Sequence, residues 1–237
     1  FIDFEFPNEN GEPYKSSGGK MVQSELGEIP DGWEVKTLKD ISKKPIVCGK
    51  TPSTKISEYY GNYMPFITIP DMHNSIFVVE TKRYLSRQGV ESQSNKTVPP
   101  LSVCVSCIAT PGLVVLTSEP SQTNQQINTI IPDVIDSYYT YLYMKRQANL
   151  VRELGSGGST TLNLNKTRFS KIPILYPPLY IRKHFYKQVD KIFKMILILQ
   201  KQNLTLKRLR DILLPKLISG EIELLVESKV TGYDMVQ

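Results

Sequence analysis

Long apolar runs are missing from this sequence. In its most apolar stretch the longest, Met195 to Leu199, has five residues, against the about 17–25 that a helix needs to cross a bilayer. No secretory signal precedes the globular region, and the chain reads as cytoplasmic. Cysteine is scarce. Cys48, Cys104 and Cys107 are an odd set in a chain without secretory features, so they read as reduced thiols and not as a disulfide framework. Cys104-x-x-Cys107 could offer two zinc ligands, with Cys48, His73 or His184 completing the set, yet there is no second CxxC and no spaced His pair. On a strand, residues three apart point to opposite faces, which also speaks against joint ligation. No metal or cofactor is expected.

Acidic residues are locally missing as well. From Leu154 to Val189 there is no carboxylate, while Lys166, Arg168, Lys171, Arg182, Lys183 and Lys187 all fall there. Between Ile181 and Lys216 ten Lys or Arg face two acids, Asp190 and Asp211, so this segment at +8 more than accounts for the formal net charge of +6. A phosphate backbone would suit such a surface. The composition is otherwise ordinary for a soluble protein, with 40% apolar and 22% charged residues in 237, and implies one globular domain with an appendage.

The appendage is a helix. From Pro178 to Leu214 the pattern is helical, and Phe185, Val189, Ile192, Ile196, Leu199, Asn203, Leu206 and Leu213 recur at steps of three, four and seven. That is a coiled-coil seam with Asn203 as its polar position in mid-helix. At about 1.5 Å per residue the helix would be roughly 55 Å long, longer than a domain built from the remaining residues is wide, so it implies a partner helix. Pro215 should end or kink it and Gly220 stop it.

In order along the chain, residues 1–21 open with FIDFEF and continue as an Asn-, Gly-, Pro- and Ser-rich linker from something upstream; the first residue is Phe1, not Met. Residues 22–176 form the globular domain. Short extended candidates lie at Trp33 to Leu38, Ile46 to Cys48, Met64 to Ile69, Phe77 to Val79, Val103 to Ala109, Gly112 to Thr117, Ile127 to Ile131 and Ile172 to Tyr176, a spacing that implies a mixed or antiparallel sheet. Asp136-Ser137 can cap a helix through Leu154, with Tyr138, Tyr141, Leu142 and Leu150 facing inward, and a short helix is expected at Asn165 to Ser170. The long helix occupies 177–218 and a mobile tail 219–237. The fold class is α+β: a mixed-sheet domain followed by a long coiled-coil-forming helix.

Catalytic signatures are few. No GxSxG elbow and no HExxH helix occurs, and Pro177-Pro178-Leu179-Tyr180 lacks the Asn or Asp that precedes it in amino-methyltransferases. Pro70-Asp71 followed after eight residues by Glu80-Thr81-Lys82 resembles the PD…ExK arrangement of Mg-dependent nucleases, closer spaced than is usual there. A turn Asp and a strand-end Glu are the simpler reading. A second alternative is a scaffold that lies on a membrane surface through its basic amphipathic helix. The Gly- and Ser-rich segment at 155–160 lacks GKS or GKT and reads as a flexible loop facing DNA, not as a nucleotide site. Side chains able to read bases or touch phosphates are plentiful in the domain: Lys50, Thr51, Ser53, Thr54, Lys55, Tyr59, Tyr60, Asn124, Gln125, Gln126, Ser159, Thr160, Asn163, Asn165 and Lys166. Arg and Lys suit guanine, Asn and Gln suit adenine, although each residue taken singly also fits a solvated loop.

Several blocks in a fixed order resemble the specificity subunits of type I restriction-modification systems: GEIPDGWEVKTLKDI at 27–41, CGKTPSTK at 48–55, PFITIPDM at 65–72, TKRYLSRQGVESQ at 81–93, ATPGLVVLTSEPSQTNQQIN at 109–128, LGSGGSTTLNLNKTRFSKIPILYPPL at 154–179 and RDILLPKLISGEI at 210–222. The resemblance covers nearly the whole chain. It implies a protein with two target recognition domains, each reading half of a bipartite double-stranded DNA site. Two antiparallel spacer helices hold them apart and dock methyltransferase subunits, with a restriction subunit in the wider complex. Such a subunit has no catalytic activity of its own. One domain and one helix match, as in a C-terminal half or a half-subunit that pairs with a second copy, and FIDFEF resembles the end of the preceding spacer helix.

Overall fold

In the computed structural model residues 1–156 and 163–222 are described, and the chain divides into two units, Phe1–Leu197 and a second that begins at Ile198. The first unit opens with a hairpin, β1 (Met21–Ser24) and β2 (Gly27–Pro30), then β3 (Glu34–Thr37), α1 (Leu38–Ile41), β4 (Val47–Cys48) and β5 (Tyr60–Ile67). There follow β6 (Phe77–Val78), β7 (Tyr84–Leu85), α2 (Arg87–Glu91), β8 (Val103–Ser106), β9 (Val114–Thr117), β10 (Gln122–Thr123) and β11 (Ile127–Ile130). After them come α3 (Ser137–Arg146), α4 (Ala148–Gly155), α5 (Lys166–Ser170), β12 (Pro173–Tyr176) and α6 (Leu179–Ile218), which continues into the second unit.

The main sheet has the order β4-β11-β8-β9-β6, antiparallel except for the β9–β6 pair. Its central strands are rich in β-branched residues because both faces are covered. Val103, Val105, Val114, Leu116 and Ile130 enter one core with Tyr138, Tyr141 and Met144 of α3, while Cys104, Val115 and Ile127 enter another with Ile67, Met72 and Val78. The period-2 alternation of a strand divides consecutive residues between these cores. A smaller sheet, β10-β5-β7, packs over Phe66, Leu85 and Val90, and β12 pairs with β3.

Several elements differ from the sequence expectation. Residues 1–21 are more than a linker, since Phe6 is buried and Phe4, Phe6 and Tyr14 stack on one another or on Trp33; the alternating aromatics supply an apolar surface that water would otherwise have to hydrate. The helix expected through Leu154 is broken at Gln147 into α3 and α4, and Leu142 is exposed while Tyr138 and Tyr141 are buried. Asp136 does not cap α3 with its side chain. Its carboxylate instead takes a bidentate bond from Nη1 of Arg182, at 2.7 and 2.5 Å, and one from the Tyr176 hydroxyl at 3.1 Å. Arg182 also donates through Nε to the Pro177 carbonyl and lies 4.1 Å over the Tyr176 ring. The side chains are 11% and 2% exposed, so each charge depends on the other for its solvation.

α6 continues past Pro215 to Ile218, and two residues on Gly220, at a φ of +73°, turns the chain out. Within the first unit Phe185 and Phe193 are buried in the main core, with Val189, Ile196 and Leu197 packed against it. Phe185, Val189 and Ile196 therefore pack against their own domain. The 3.6-residue period cannot distinguish this from packing on a partner helix. Of the expected pairing residues Ile192, Leu199, Leu206 and Leu213 are exposed, as are Met195 and Leu209. Within the second unit Leu199, Leu206, Leu209 and Leu213, spaced by seven, three and four, form an exposed row.

Replacing Arg182 with Met, which keeps the aliphatic stem, is expected to lower stability by about 3–5 kcal/mol by stranding the Asp136 carboxylate. Urea denaturation followed by far-UV circular dichroism measures it, and a change below about 1 kcal/mol contradicts the buried pairing.

Candidate nucleic-acid interface

Two segments of the predicted reading set meet at one end of the main sheet. After β4 the chain passes through Gly49, whose N–H donates to Ile127 O, and Lys50, whose N–H donates to Thr123 O. A side chain at position 49 would collide with the carbonyl oxygens of Thr123 and Asn124, so glycine is what lets the 50s loop lie against the 122–126 turn. Thr51 then donates from its hydroxyl to Gln125 Oε1 at 2.5 Å, and Tyr60 donates to Pro52 O at 2.9 Å across the loop's base. Tyr59 is tied through its carbonyl to the Ser86 N–H. These bonds leave Lys50, Ser53, Thr54, Lys55 and Gln125 exposed, while Thr51, Tyr59, Tyr60 and Gln126 are half-buried.

Two of the predicted readers have structural work. Asn124 is buried: its amide donates to Gln126 Oε1 and its Oδ1 accepts the Gln126 N–H, an Asx-type turn that shapes the loop. Asn165 caps α5 by accepting the Arg168 N–H, so its Oδ1 is committed. A short polar residue at a loop can read a base or close a turn, and composition does not separate these roles. Asn163 is exposed and forms an isolated bridge with Ile108, and the adjoining Leu164 N–H meets Cys107 O, while Cys107 N–H meets Gln126 O. The 163–166 segment is thereby joined to the 122–126 turn through one residue of the sheet's end. Ser159 and Thr160 lie outside the described residues.

Lys166 borders a cleft of about 560 Å³ with Lys39, Lys43, Lys44, Thr167 and Ser170. Lys39, Lys43 and Lys44 were not singled out from the sequence, because they stand in a stretch that also carries Asp40. In the structure Asp40 turns away to cap α1, accepting from the Thr37 N–H and hydroxyl; these two bonds hold its carboxyl below the usual range. Lys43 is paired with Asp133 at 2.9 Å. Arg87 also lies 5.0 Å over the exposed Tyr63 ring, a pairing across 24 positions of sequence that no local pattern announces.

The nuclease residues do not assemble as that alternative requires. Both oxygens of Asp71 are engaged, Oδ2 by the Thr68 N–H and hydroxyl and Oδ1 by the backbone N–H of Lys82, so it closes a turn and meets Lys82 through the main chain. Among the described residues no cluster of three or more His, Cys, Asp or Glu could hold a metal ion. Cys104 and Cys107 enter different cores, and burial pushes both thiols up to about 12. Nor does a membrane-surface role find support. The side of α6 that carries Phe185, Val189, Phe193 and Ile196 packs on the domain.

A mixed sheet bearing polar loops at one end, with a long basic helix after it, is the architecture of a DNA specificity domain, and the comparisons agree. The family described as type I restriction modification DNA specificity domain matches residues 30–208, and the chain belongs to it. It is 50% identical over 197 residues to the type I restriction enzyme HindI specificity subunit of Haemophilus influenzae, covering 82% of this chain and 42% of that protein. The MjaIX specificity subunit of Methanocaldococcus jannaschii is 32% identical over 163 residues, covering 67% and 37%. The chain thus spans less than half the length of these relatives. Among solved structures, the HsdS subunit from Thermoanaerobacter tengcongensis shares the fold with a TM-score of 0.54 at 18% identity, over 81% of this chain and 46% of that one. The type I restriction-modification S subunit from M. genitalium does so at 0.53 and 14%, over 79% and 46%.

Gly49→Ala is expected to cost about 1–3 kcal/mol, because the added methyl overlaps two backbone oxygens. Thermal and urea unfolding against the parent protein test it, and an unchanged midpoint contradicts the tight seating of the loop. In the native protein only Cys48, which is partly exposed, should react with a thiol reagent within minutes at pH 8, rising to three thiols in denaturant; rapid labelling of Cys104 or Cys107 would overturn their burial.

Proposed function

We propose that this chain is the sequence-reading part of a type I restriction-modification specificity subunit, binding one half of a bipartite site in double-stranded DNA. The single observation that carries the reading is the joining of the 50s loop to the 122–126 turn, which brings Lys50 and Thr51 beside Thr123 and Gln125, with Ser53, Thr54 and Lys55 exposed in the same loop. Lysines can contact phosphates, and the Gln125 amide and the hydroxyls can meet base edges. Asn163, Lys166, Ser159 and Thr160 belong to the same proposed interface by sequence, and the 163–166 segment is tied to the 122–126 turn through Cys107. The chain performs no catalytic step in this reading. It delivers methyltransferase subunits, and with them a restriction subunit, to the site it reads, in the cytoplasm.

The exposed row Leu199, Leu206, Leu209 and Leu213 of the second unit supports pairing of α6 with a second helix, from a second copy of this chain or from another half-subunit. Two-fold pairing would bring two reading domains to one DNA. The domain limits proposed for this function are a target recognition domain at 22–176 and a spacer helix at 177–218.

Binding to DNA carrying the preferred site should weaken with salt with a log–log slope of about −5 if six phosphates are contacted, and Lys55→Ala should reduce the slope by about one. A flat salt response, or equal affinity for all sequences, refutes the reading. Leu206→Glu together with Leu213→Glu should turn any dimer seen in sedimentation into monomer with the domain still folded, and an unaltered distribution removes the proposed row.

A further inference from the structure

The 50s loop is held from beneath by two buried amides that the reading surface itself does not include. Gln122, at the start of β10, is fully buried, and Gln93 nearly so. Gln122 donates through Nε2 to Thr97 Oγ1 at 2.9 Å and to the carbonyls of Val90 and Gln93 at 3.2 and 3.3 Å. Its Oε1 accepts from Gln93 Nε2 at 2.7 Å, and that same Gln93 nitrogen donates to the carbonyl of Lys50 at 2.8 Å. A chain of hydrogen bonds therefore runs from the end of α2 through two side chains to the first residue of the loop. Lys96 adds a parallel tie, its Nζ donating to Cys48 O at 2.9 Å.

The orientation of Gln93 shows which bond the site favours. Both of its neighbours, Lys50 O and Gln122 Oε1, are acceptors, so its nitrogen must face them, and its own Oε1 is buried with no hydrogen-bond partner among the described residues. Beyond Lys50 the loop is exposed from Ser53 to Glu58, so the placement of its tip depends on where the Gly49–Thr51 stretch is fixed. Direct readout of bases tolerates little error in that placement.

We propose that Gln93 and Gln122 are specificity-positioning residues: they touch no base, but fix Lys50 and hence the register of the 50s loop on DNA. The inference rests on the DNA-reading function proposed above. Lysine-to-phosphate affinity, which is sequence-independent, does not need that register, whereas discrimination between bases does.

The test uses the full chain assembled with its methyltransferase subunit and a pool of random duplexes, with binding to selected and to unrelated DNA measured at one salt concentration. Gln93→Met keeps the length and packing but removes the donor to Lys50. It should lower the ratio of specific to non-specific affinity by about tenfold or more, with the loss confined to one or two base positions of the selected motif. Thr97→Val is the companion variant: it removes a bond of the same network without touching the link to Lys50, so it reports loosening of the buried cluster alone. It should leave the motif intact at a similar loss of melting temperature. If Gln93→Met selects the parent motif with the parent ratio, or if Thr97→Val blurs it equally, the positioning role is overturned while the DNA-reading function stands. If the parent protein selects no motif at all, that function fails, and this inference with it.

Discussion

The buried ion pair between Asp136 and Arg182 is the constraint on which the rest of the first unit depends. It joins the turn before α3 to the first turn of α6, and its third partner, Tyr176, closes β12. Two charges withdrawn from water attract strongly only at this geometry, so the pair fixes the direction in which α6 leaves the sheet as well as holding it there. The aromatic packing that follows is consistent with that direction. Tyr138 stacks on Tyr186 and Phe193, and Tyr139 meets Phe185 edge-on. Apolar burial supplies most of the energy, and the ion pair supplies a register that apolar contacts alone would not specify.

A second consequence concerns the opposite use of polar groups at the reading end. The Asp136 carboxylate is paired within the chain by Arg182 and Tyr176. Around Gly49 the chain is drawn tight by backbone bonds and buried amides, yet the loop it holds presents its side chains outward. The domain is thus rigid where it carries the loop and open where the loop meets its ligand. That is the arrangement expected of a surface whose task is discrimination and not chemistry. Most of the cationic groups nearby are exposed, in keeping with a phosphate-facing role that asks for charge and tolerates imprecise placement.

Much of the fold was legible along the chain. The β-branched runs at 103–106, 114–117 and 127–130 marked the central strands, Asn165 marked the start of a short helix, and the long heptad-like pattern marked α6. Two-residue strands such as β7 and β10 were not legible, because so short a segment has no periodicity and is strand only by virtue of its neighbour. Nor was the break at Gln147, where no Gly or Pro interrupts the pattern. At the site, residue types were legible and roles were not. Asn124 and Asn165, readers by composition, also bond within the chain, Asn124 closing a turn and Asn165 capping α5. Gln93 and Gln122 look like solvated amides, but they lie in the interior.

By itself the sequence determined the element types, the basic character of the 154–216 region and the family, since these follow from local pattern, charge and the order of motifs. Which side of the long helix is free was decided only by the tertiary structure. Phe185, Val189 and Ile196 share a helical period with Leu199 and Leu206, and the period is blind to whether the surface opposite is a partner's or the domain's own. The same holds for the loop at 50–60. Its residues announce hydrogen-bonding capacity, but their convergence with Gln125 depends on bonds between positions more than 70 apart, which exist only once the sheet is formed.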